Sequence, residues 1–448
     1  MGLVKIINGN EFDSYFKNFS FPAQDEKANA VVNEIIAAVR AEGDAAVRRY
    51  AKLYEKEVPV NFEVPVEAAK DAWENLKTAE PDLASSLCLA ADHIRRFSEL
   101  QREQFKDFET EIESGLYTGQ KIIPVERAAI YVPAGRFPLI SSALMALIPA
   151  AAAGVSEKIL VSPPREAGLP DRRILAAAHL AGADRIFALG GAQAIAAFAI
   201  GTGTIPKADL VVGAGNKYVT AAKRVLFGEV GIDFAAGPTD VLIISDKLSS
   251  AGDKENPDLN DPKKAADLIA TDMLAQAEHD PDAQARCLVP DMKMAELVIS
   301  ALERRLEKLS TAAAARASLE ARGLIVVYST KEEAINIANK IAPEHLELHV
   351  SSPDEWAGSL KNFGSLFMGS LAAEALGDYS AGINHVLPTG GAARFTGGLS
   401  VRHFLKTVTT LRCVSGSGYS KTLNAAEIIA RAEGLSGHAE SAAARKNQ

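Results

Sequence analysis

The stretch that decides the fold is AIYVPAGRFPLISSALMALIPAAAAGVSEKILV, residues 129–161. It opens with a short apolar run, Ala129–Val132, turns through proline and glycine, continues as an alanine-rich tract and ends in a second run, Lys158–Val161. Short β-branched runs that end in Gly or Pro and precede helical stretches are typical of βα units. The stretch therefore predicts strand, helix and strand, the repeating unit of a parallel sheet.

The apolar tract from Pro138 to Val155 is the most hydrophobic part of the chain. Two serines, a proline and a glycine interrupt it, so we interpret it as a buried helix and not as a membrane span. The first residues, MGLVKIINGNEFDSYF, carry polar and acidic side chains early and do not fit a signal peptide. These features predict a cytoplasmic protein with no membrane partner.

The alternation of strands and helical stretches continues along the chain. Further apolar runs with strand character are Arg185–Leu189, Leu210–Val212, Val241–Ile244, Arg286–Val289, Leu324–Val327, His345–Val350 and Leu366–Met368. The set divides after Gly237-Pro238, so two α/β units are predicted. Helical spacing is expected over 26–108 and again after about residue 400, and the polar stretch 249–264 is predicted to be an exposed loop.

Composition excludes several classes of protein. The 448 residues are 48% hydrophobic and 23% charged, as in a globular protein with room for two or three domains. The formal net charge of -9 provides no basic surface for a phosphate backbone, so nucleic acid is not an expected partner. Cys88, Cys287 and Cys413 lie far apart and predict neither a disulfide framework nor a thiolate metal site.

Glycines cluster after three strands of the first unit, in YVPAG (131–135), LGGAQA (189–194) and VGAGNKY (212–218). In an α/β sheet, the carboxyl ends of the strands and the amino ends of the next helices converge on a ligand-binding crevice. The complete Gly-x-Gly-x-x-Gly fingerprint is absent from this unit. The pattern fits a dinucleotide site, and it fits equally a set of tight turns that merely need glycine.

Five polar residues have the chemistry of a metal site. Gln276 and His279, in QAEH, are three residues apart in a helical run and project from one face. Asp378 and His385 flank a glycine-containing loop that can bring both side chains to one point, and His438 stands alone near the C-terminus. Two histidine nitrogens, one carboxylate and one amide oxygen suit Zn²⁺ without a cysteine ligand.

Glu344 and His345 are adjacent acid and base candidates that follow Pro343 at the start of a predicted strand. A neutral imidazole there can remove an alcohol proton, and a carboxylate can activate water. The same pattern fits the polar end of a half-exposed strand, and the sequence favours neither interpretation. Core or surface positions are predicted for the remaining histidines, which are His93, His179, His349 and His403.

Longer motifs occur in a fixed order between about residue 121 and residue 438. They are YVPAG, GGAQAIAAFAIGT, GNKYVTAAKR, GIDFAAGPTDVLII, QAEH, PEHLE, GDYSAGINHVLPT and AEGLSGH. In order and spacing they resemble the successive motifs of the histidinol dehydrogenase family. The resemblance covers most of the chain and is very specific, because it rests on many motifs and not on one.

The resemblance implies a zinc site and an acid–base pair. The expected zinc ligands, one ion per subunit, are Gln276, His279, Asp378 and His438 of the partner subunit. His345 would be the general base, and Glu344 would activate the water that attacks the aldehyde level. The expected substrate contacts are Thr239, Gln276, His279, His385 and Glu433.

The resemblance also implies NAD contacts at Tyr131, Gln193 and Asn216, which lie in the three glycine-marked turns. The implied reaction is a four-electron oxidation of L-histidinol to L-histidine through the aldehyde, with two hydrides passing to NAD in successive steps. Zinc would hold the substrate by its amine and imidazole nitrogens, while the cofactor carries the hydride chemistry.

The fold implied by the resemblance has two Rossmann-like parallel-sheet domains and a helical C-terminal tail exchanged in an intertwined homodimer. The expected parts are an N-terminal arm (1–25), a first α/β domain with the zinc and catalytic residues (26–120 and 239–400), a second domain with the NAD contacts (121–238) and a dimerisation tail (401–448). The end of this tail carries too little apolar surface to fold alone, so it needs a surface to pack on.

The chain departs from many family members at 237–240, which reads Gly-Pro-Thr-Asp where Gly-Pro-Ser-Glu is common. The segments 370–374 and 389–410 also differ, and segment 389–410 is more similar to paralogues that oxidise sulfopropanediol. For such an anionic substrate the candidate sulfonate partners are Arg394, Arg402 and Arg412. An alternative from another class is a zinc hydrolase in which Glu344 activates water without a nicotinamide.

Overall fold

The computed structural model describes residues 2–17, 26–134, 138–246 and 261–446. Within them the chain forms two six-stranded sheets and one three-stranded sheet. The polar loop predicted at 249–264 lies outside the described residues up to residue 260, and the helix after it begins at Pro262. Gly135 of the first glycine motif also lies outside them.

The first six-stranded sheet is built by the centre of the chain. In spatial order its strands are β2 (Glu63–Val64), β7 (Arg185–Ala188), β6 (Glu157–Ser162), β5 (Arg127–Tyr131), β8 (Leu210–Val212) and β9 (Gly231–Ile232). Neighbours pair in parallel, except that β2 runs antiparallel to β7. The order moves outward from β5 through β6 to β7 and then returns to β8, so the topological switch point lies between β5 and β8.

Helices cover both faces of this sheet. One face carries α2 (Glu26–Glu42), α3 (Asp44–Tyr54), α8 (Gly191–Ile200) and α9 (Lys217–Leu226), and the other carries α4 (Val66–Ala79), α5 (Pro81–Glu103), α6 (Ile140–Ala153) and α7 (Arg172–Ala181). The expected grouping of 26–120 with 239–400 does not match this packing, because the apolar faces of α2 to α5 are buried on the first sheet.

The apolar tract predicted as a buried helix is α6, and almost all of its residues are buried between α5, α7 and the sheet. Pro149 lies inside the helix. In the part of the chain that the structure describes, no helix combines the length and the apolar character that a membrane crossing requires.

The second six-stranded sheet is entirely parallel. Its strands, in spatial order, are β1 (Lys5–Asn8), β12 (Leu324–Val327), β11 (Gln284–Val289), β10 (Asp240–Ser245), β13 (His345–His349) and β14 (Ser365–Met368). One face is covered by α10 (Pro262–Ala277), α11 (Met292–Leu306) and α12 (Ala312–Arg322), and the other by α1 (Phe12–Lys17), α13 (Lys331–Ile341) and α14 (Pro353–Ala357). The segment predicted as an N-terminal arm thus supplies an edge strand.

Every strand predicted from the apolar runs is present, with ends that differ by one or two residues. These strands could be predicted from the sequence because parallel strands covered by helices on both faces are apolar along their whole length. The α/β class and the parallel sheets are therefore confirmed. Cys88, Cys287 and Cys413 are free thiols, as their spacing predicted.

The third sheet corrects the expectation of a wholly helical tail. It pairs β15 (Leu405–Cys413) with β4 (Leu116–Pro124) and β4 with β3 (Phe108–Glu113), all antiparallel. The sequence of β15, LKTVTTLRC, is rich in β-branched residues that favour a strand. Two helices follow, α16 (Ser417–Ala432) and α17 (Ser436–Ala443), which pack against each other, and α16 also contacts β3.

Candidate active site

Glu344 and His345 lie at the amino end of β13, beside the amino end of β10, and both side chains are buried. Glu344 Oε2 accepts hydrogen bonds from the Thr239 hydroxyl at 2.5 Å and from the Asp240 backbone N–H at 3.1 Å. Burial raises the pKa of Glu344 to about 7, although the charge of His345 and the bond from Thr239 oppose the shift. A carboxyl that exchanges its proton near neutral pH is suited to general acid–base chemistry.

His345 lies between two carboxylates carried by α15 (Glu374–Tyr379). Its Nδ1 is 3.6 Å from Glu374 Oε1, and its Nε2 is 3.5 Å from Asp378 Oδ1. Burial acts to lower the pKa of this imidazole, but the negative charges of Glu374, Glu344 and Asp378 outweigh it and raise the pKa well above its ordinary value. The interpretation as a half-exposed polar strand end is therefore wrong, since the pair is buried among charges.

Gln276 is fully buried on α10, between β10 and α15. Its amide oxygen faces the Thr239 hydroxyl at 2.5 Å and the Asp240 N–H at 3.1 Å, and its amide nitrogen donates to Glu374 Oε1 at 2.5 Å. In this orientation the amide nitrogen has the Glu374 carboxylate as its acceptor, and the single proton of the Thr239 hydroxyl is shared between the Gln276 oxygen and Glu344 Oε2. Gln276 thus belongs to the same buried polar group as the acid–base pair.

The pKa of the Asp378 carboxyl depends on its burial and on three neighbouring histidines. Burial acts to raise its pKa, but the hydrogen bond and charge of His345 and the charges of His385 and His279 lower it below its ordinary value. His279 is exposed just beyond the end of α10. Of the expected zinc ligands, Asp378 and Gln276 border the acid–base group, Asp378 beside His345 and Gln276 beside Glu374, and the charge of His279 acts on Asp378.

The donor set at this point fits a zinc ion. An imidazole, a carboxylate and an amide oxygen are acceptable zinc ligands, and a divalent cation would offset the closely spaced carboxylates. Ligand atoms of His345, Glu374 and Asp378 all lie within 4.8 Å of one another, so of the expected ligands Asp378 is part of a compact group. Glu374 was not predicted; its position four residues before Asp378, on one helix face, was the available signal.

Glu433 and His438 are not part of this group within a single chain. Both are exposed, and α17, which carries His438, packs against α16 on the outside of the three-stranded sheet. His438 also belongs to neither of the two compact groups of metal-ligating atoms formed by the described residues.

His385 joins the acid–base group to the first sheet. Its Nδ1 lies 2.8 Å from the backbone oxygen of Asp378, and its Nε2 lies 3.1 Å from Ser142 Oγ on α6. Burial lowers the pKa of this histidine below its ordinary value. Next to it, the Asn384 amide donates to the backbone oxygen of Met145 at 2.6 Å. Because α6 follows β5, the group meets the carboxyl edge of the first sheet.

Tyr131 and Gln193 lie at that carboxyl edge, in two of the glycine-marked turns, and both are buried. The Tyr131 hydroxyl accepts a hydrogen bond from the Gly191 N–H at 3.1 Å, and the Gln193 amide donates to Glu55 Oε1 at 3.1 Å. Glu55 Oε2 is also buried but has no hydrogen-bond partner in the described residues. The edge thus carries a polar group with unused hydrogen-bonding capacity.

Asn216 lies in the third glycine-marked turn, where it caps α9 by accepting hydrogen bonds from two backbone N–H groups, at 3.0 and 3.2 Å. In the same turn Gly213 has a φ of +113°, and a Cβ there would collide with the Tyr131 carbonyl oxygen. A buried Lys223–Asp233 ion pair holds both the carbonyl and the N–H of Gly213. The three expected cofactor residues therefore surround the switch point, where such sheets bind nucleotides.

The three arginines considered for an anionic substrate are engaged elsewhere on the surface. Arg412 pairs with Glu109 at 2.6 Å in the three-stranded sheet. Arg394 donates to the backbone oxygen of Asn339, and Arg402 to the hydroxyl of Thr396. These contacts give no support to a sulfonate pocket beside Glu344.

Comparison with known proteins gives a consistent picture. The family model "Histidinol dehydrogenase" matches residues 21–446. The chain is 44% identical to the histidinol dehydrogenase of Thermus thermophilus, with 93% of this chain and 94% of the relative covered, and 40% identical to that of Nitrosomonas europaea, with 99% and 100% covered. The crystal structure of histidinol dehydrogenase from Elizabethkingia anophelis matches with a TM-score of 0.88 at 30% identity, covering 99% of this chain and 98% of that one.

The buried carboxyl of Glu55 generates a prediction about stability. Burial raises its pKa to about 7, although bonds from the Gly190 N–H and Gln193 oppose the shift. Its contribution to stability is therefore fully present below the unfolded value of about 4.3 and lost as the pH rises through 7. Glu55→Gln is expected to remove about 2–3 kcal/mol of the fall in unfolding free energy between about pH 5 and pH 8.

Urea unfolding of the wild type and the variant across this pH range measures the effect. Glu67→Gln, at an exposed position in the first turn of α4, is the matched control and should leave the pH dependence unchanged. Parallel pH curves for the wild type and Glu55→Gln would contradict the assignment.

Proposed function

The chain belongs to the histidinol dehydrogenase family, and on this premise we propose that it oxidises L-histidinol to L-histidine through the aldehyde, using zinc and NAD. The observation that carries the proposal is the buried Glu344–His345 pair, which Asp378 and Gln276 border and near which the charge of His279 acts on Asp378. These residues would supply the acid, the base and the zinc donors that the two oxidation steps and the intervening hydration require.

The zinc site would use Gln276, His279 and Asp378, with His438 of the partner subunit as the fourth ligand. Bound zinc would hold the substrate through its amine and imidazole nitrogens. The exposed position of His438 on the outer helix α17 supports a homodimer with exchanged tails, because within the described residues this histidine belongs to no compact group of metal-ligating atoms. Glu433, on the same tail, would then provide an anionic contact for the cationic amino alcohol.

His345 would accept the proton of the substrate alcohol. The imidazolium that forms would be stabilised by Glu374 and Asp378, whose oxygens face its two ring nitrogens at 3.6 and 3.5 Å. The same two carboxylates stabilise the protonated imidazole, so His345 alone would bind a proton too tightly to act as an acceptor at neutral pH. The role therefore requires a cation beside Asp378 to offset the charge of the carboxylates.

Glu344 would activate the water that converts the aldehyde to its hydrate. Its pKa of about 7 allows the carboxylate to take a proton from water and release it again under working conditions. The Thr239 hydroxyl fixes one oxygen of this carboxylate. Thr239 and His385 would contact the substrate from opposite sides of the group, one from β10 and one from the loop that reaches α6.

The cofactor would lie at the switch point of the first sheet, against Tyr131, Gln193 and Asn216. Bound NAD would accept the hydride. The support is topological and local: all three residues lie at the carboxyl edge, where Glu55 Oε2 is buried with no hydrogen-bond partner in the described residues. The Ser142–His385 contact brings this edge next to the acid–base group.

The two alternatives are less well supported. Oxidation of sulfopropanediol would need a cationic pocket, and the candidate arginines are engaged with other surface groups. A zinc hydrolase would leave the polar crevice of the first sheet without a role, and the relatives that match nearly the whole chain are named as dehydrogenases.

A steady-state assay tests the proposal. The zinc-loaded chain should reduce NAD with L-histidinol and form two NADH for each histidinol consumed, because four electrons leave in two steps. Sulfopropanediol should give no comparable rate. NADH formation with sulfopropanediol but not with histidinol would replace the proposal with the paralogue function, and no NADH with either alcohol would favour a hydrolase.

Two substitutions separate the base from the metal ligand. His345→Asn should lower kcat about 100- to 10,000-fold with zinc retained, because it removes the proton acceptor but no zinc ligand. His279→Ala should lose the metal together with the activity. Zinc analysis and kinetics measure both effects, and His179→Ala, exposed on α7, is the control that should change neither. The opposite pattern would reverse the two roles.

Mixed dimers test the exchange of tails. His438→Ala and His345→Asn are each expected to be inactive as homodimers. When the two are co-expressed, every mixed dimer should regain one complete site, which gives about a quarter of the wild-type activity for random pairing. If His438 acts within its own chain, mixing restores nothing, and the proposed exchange is lost.

A further inference from the structure

A second group of buried ligands lies further along β13 from His345. Side chains alternate between the faces of a strand, so Glu347 and His349 project to the same face as His345. Leu346 and Leu348 point to the opposite face, where they pack in the core of α13 and α14. On the facing helix, α10, Asp272 lies one turn before Gln276. Asp272, Glu347 and His349 therefore meet between α10 and β13.

The three side chains have the geometry of metal ligands. His349 Nε2 is 3.2 Å from Glu347 Oε2 and 3.7 Å from Asp272 Oδ2, and the three ligand atoms all lie within 4.8 Å of one another. Donors about 2.0–2.1 Å from a tetrahedral zinc ion are separated by about 3.3 Å. Small side-chain rotations would bring all three atoms to that spacing.

The burial of Glu347 gives independent support for a ligand at this point. Its side chain is completely buried; Oε1 accepts the Glu374 N–H at 2.9 Å, whereas Oε2 has no hydrogen-bond partner in the described residues. That oxygen faces the second carboxylate, Asp272, across His349. Burial first, and then the charge of Glu347, raise the pKa of Asp272 to about 7. Two carboxylates in such a place require either a cation or a shared proton.

We propose that Asp272, Glu347 and His349 form a second metal site, which takes a divalent transition metal of the zinc type. Two carboxylates balance the charge of the ion, and the imidazole nitrogen favours zinc over magnesium or calcium, which prefer all-oxygen sites. The Asp272 side chain is 12% exposed and gives the ion a route from solvent. The proposal does not depend on the assigned substrate.

A filled second site would support the acid–base group from behind. Glu347 accepts the N–H of Glu374, and the Glu374 carboxylate faces His345. An ion bound to Glu347 would therefore fix the amino end of α15 and, through it, one of the two carboxylates beside His345. The ion would have a structural role, because it is separated from His345 by two protein side chains.

Zinc stoichiometry of the full-length chain tests the proposal. After loading with zinc and desalting, the wild type should retain two zinc ions per chain, and the conservative variants Glu347→Gln and Asp272→Asn should each retain one. His279→Ala should also retain one, and the double variant His279→Ala/Glu347→Gln should retain none. Elemental analysis gives all of these ratios.

Two outcomes would overturn the second site. A wild type with a single zinc that His279→Ala removes would show that Asp272 and Glu347 share a proton instead of a metal. A wild type with two zinc ions that both conservative variants keep would place the second ion elsewhere. The variants test the two sites separately. If His279→Ala keeps both zinc ions, the result counts against the proposed catalytic site and not against the second site.

Discussion

Negative charge buried at the amino end of β13 is the constraint on which the rest of the site depends. Glu344, Glu374 and Asp378 surround a single imidazole, His345, with little access to water. Charges removed from water are tolerated only when they are paired and hydrogen-bonded. The Thr239 hydroxyl and the Gln276 amide supply part of that pairing. A bound cation would supply the remainder, and metal binding and proton transfer would then depend on each other.

The position of this group explains why two sheets are needed. The acid–base pair lies at the amino ends of strands in the second sheet, whereas the polar crevice of the first sheet lies at the carboxyl ends of its strands. The loop after α15 connects them: His385 contacts Ser142, and Asn384 donates to Met145, both on α6. His93 of α5 holds the start of the loop through the Ser380 carbonyl at 2.7 Å. In the proposed reaction, substrate chemistry and hydride acceptance would therefore meet where the two units pack together.

The sequence was informative wherever the physical signal was local. Apolar runs covered on both faces gave all the predicted strands, and QAEH was correctly predicted to place Gln276 on a helix; His279 lies beyond that helix, because α10 ends at Ala277. Contacts between residues that are far apart in the sequence were harder to predict. The helices of 26–103 pack on the first sheet, and this packing depends on which faces of the two sheets are left open. The strands Lys5–Asn8 and Leu405–Cys413 depend on partner strands from distant parts of the chain. The burial of Glu344 and His345 was likewise a tertiary property. For Glu374 the sequence offered only its spacing of four residues from Asp378, and its contact with His345 depends on how α15 packs beside β13.

We propose that the buried charge around His345 holds a metal ion next to a base. Anomalous diffraction at the zinc edge, from crystals of the zinc-loaded chain, measures whether the ion is there. We expect a strong peak bonded to Gln276, His279 and Asp378, with His438 of the partner subunit completing the coordination. Crystals of active, zinc-containing protein with no peak among these residues would contradict it.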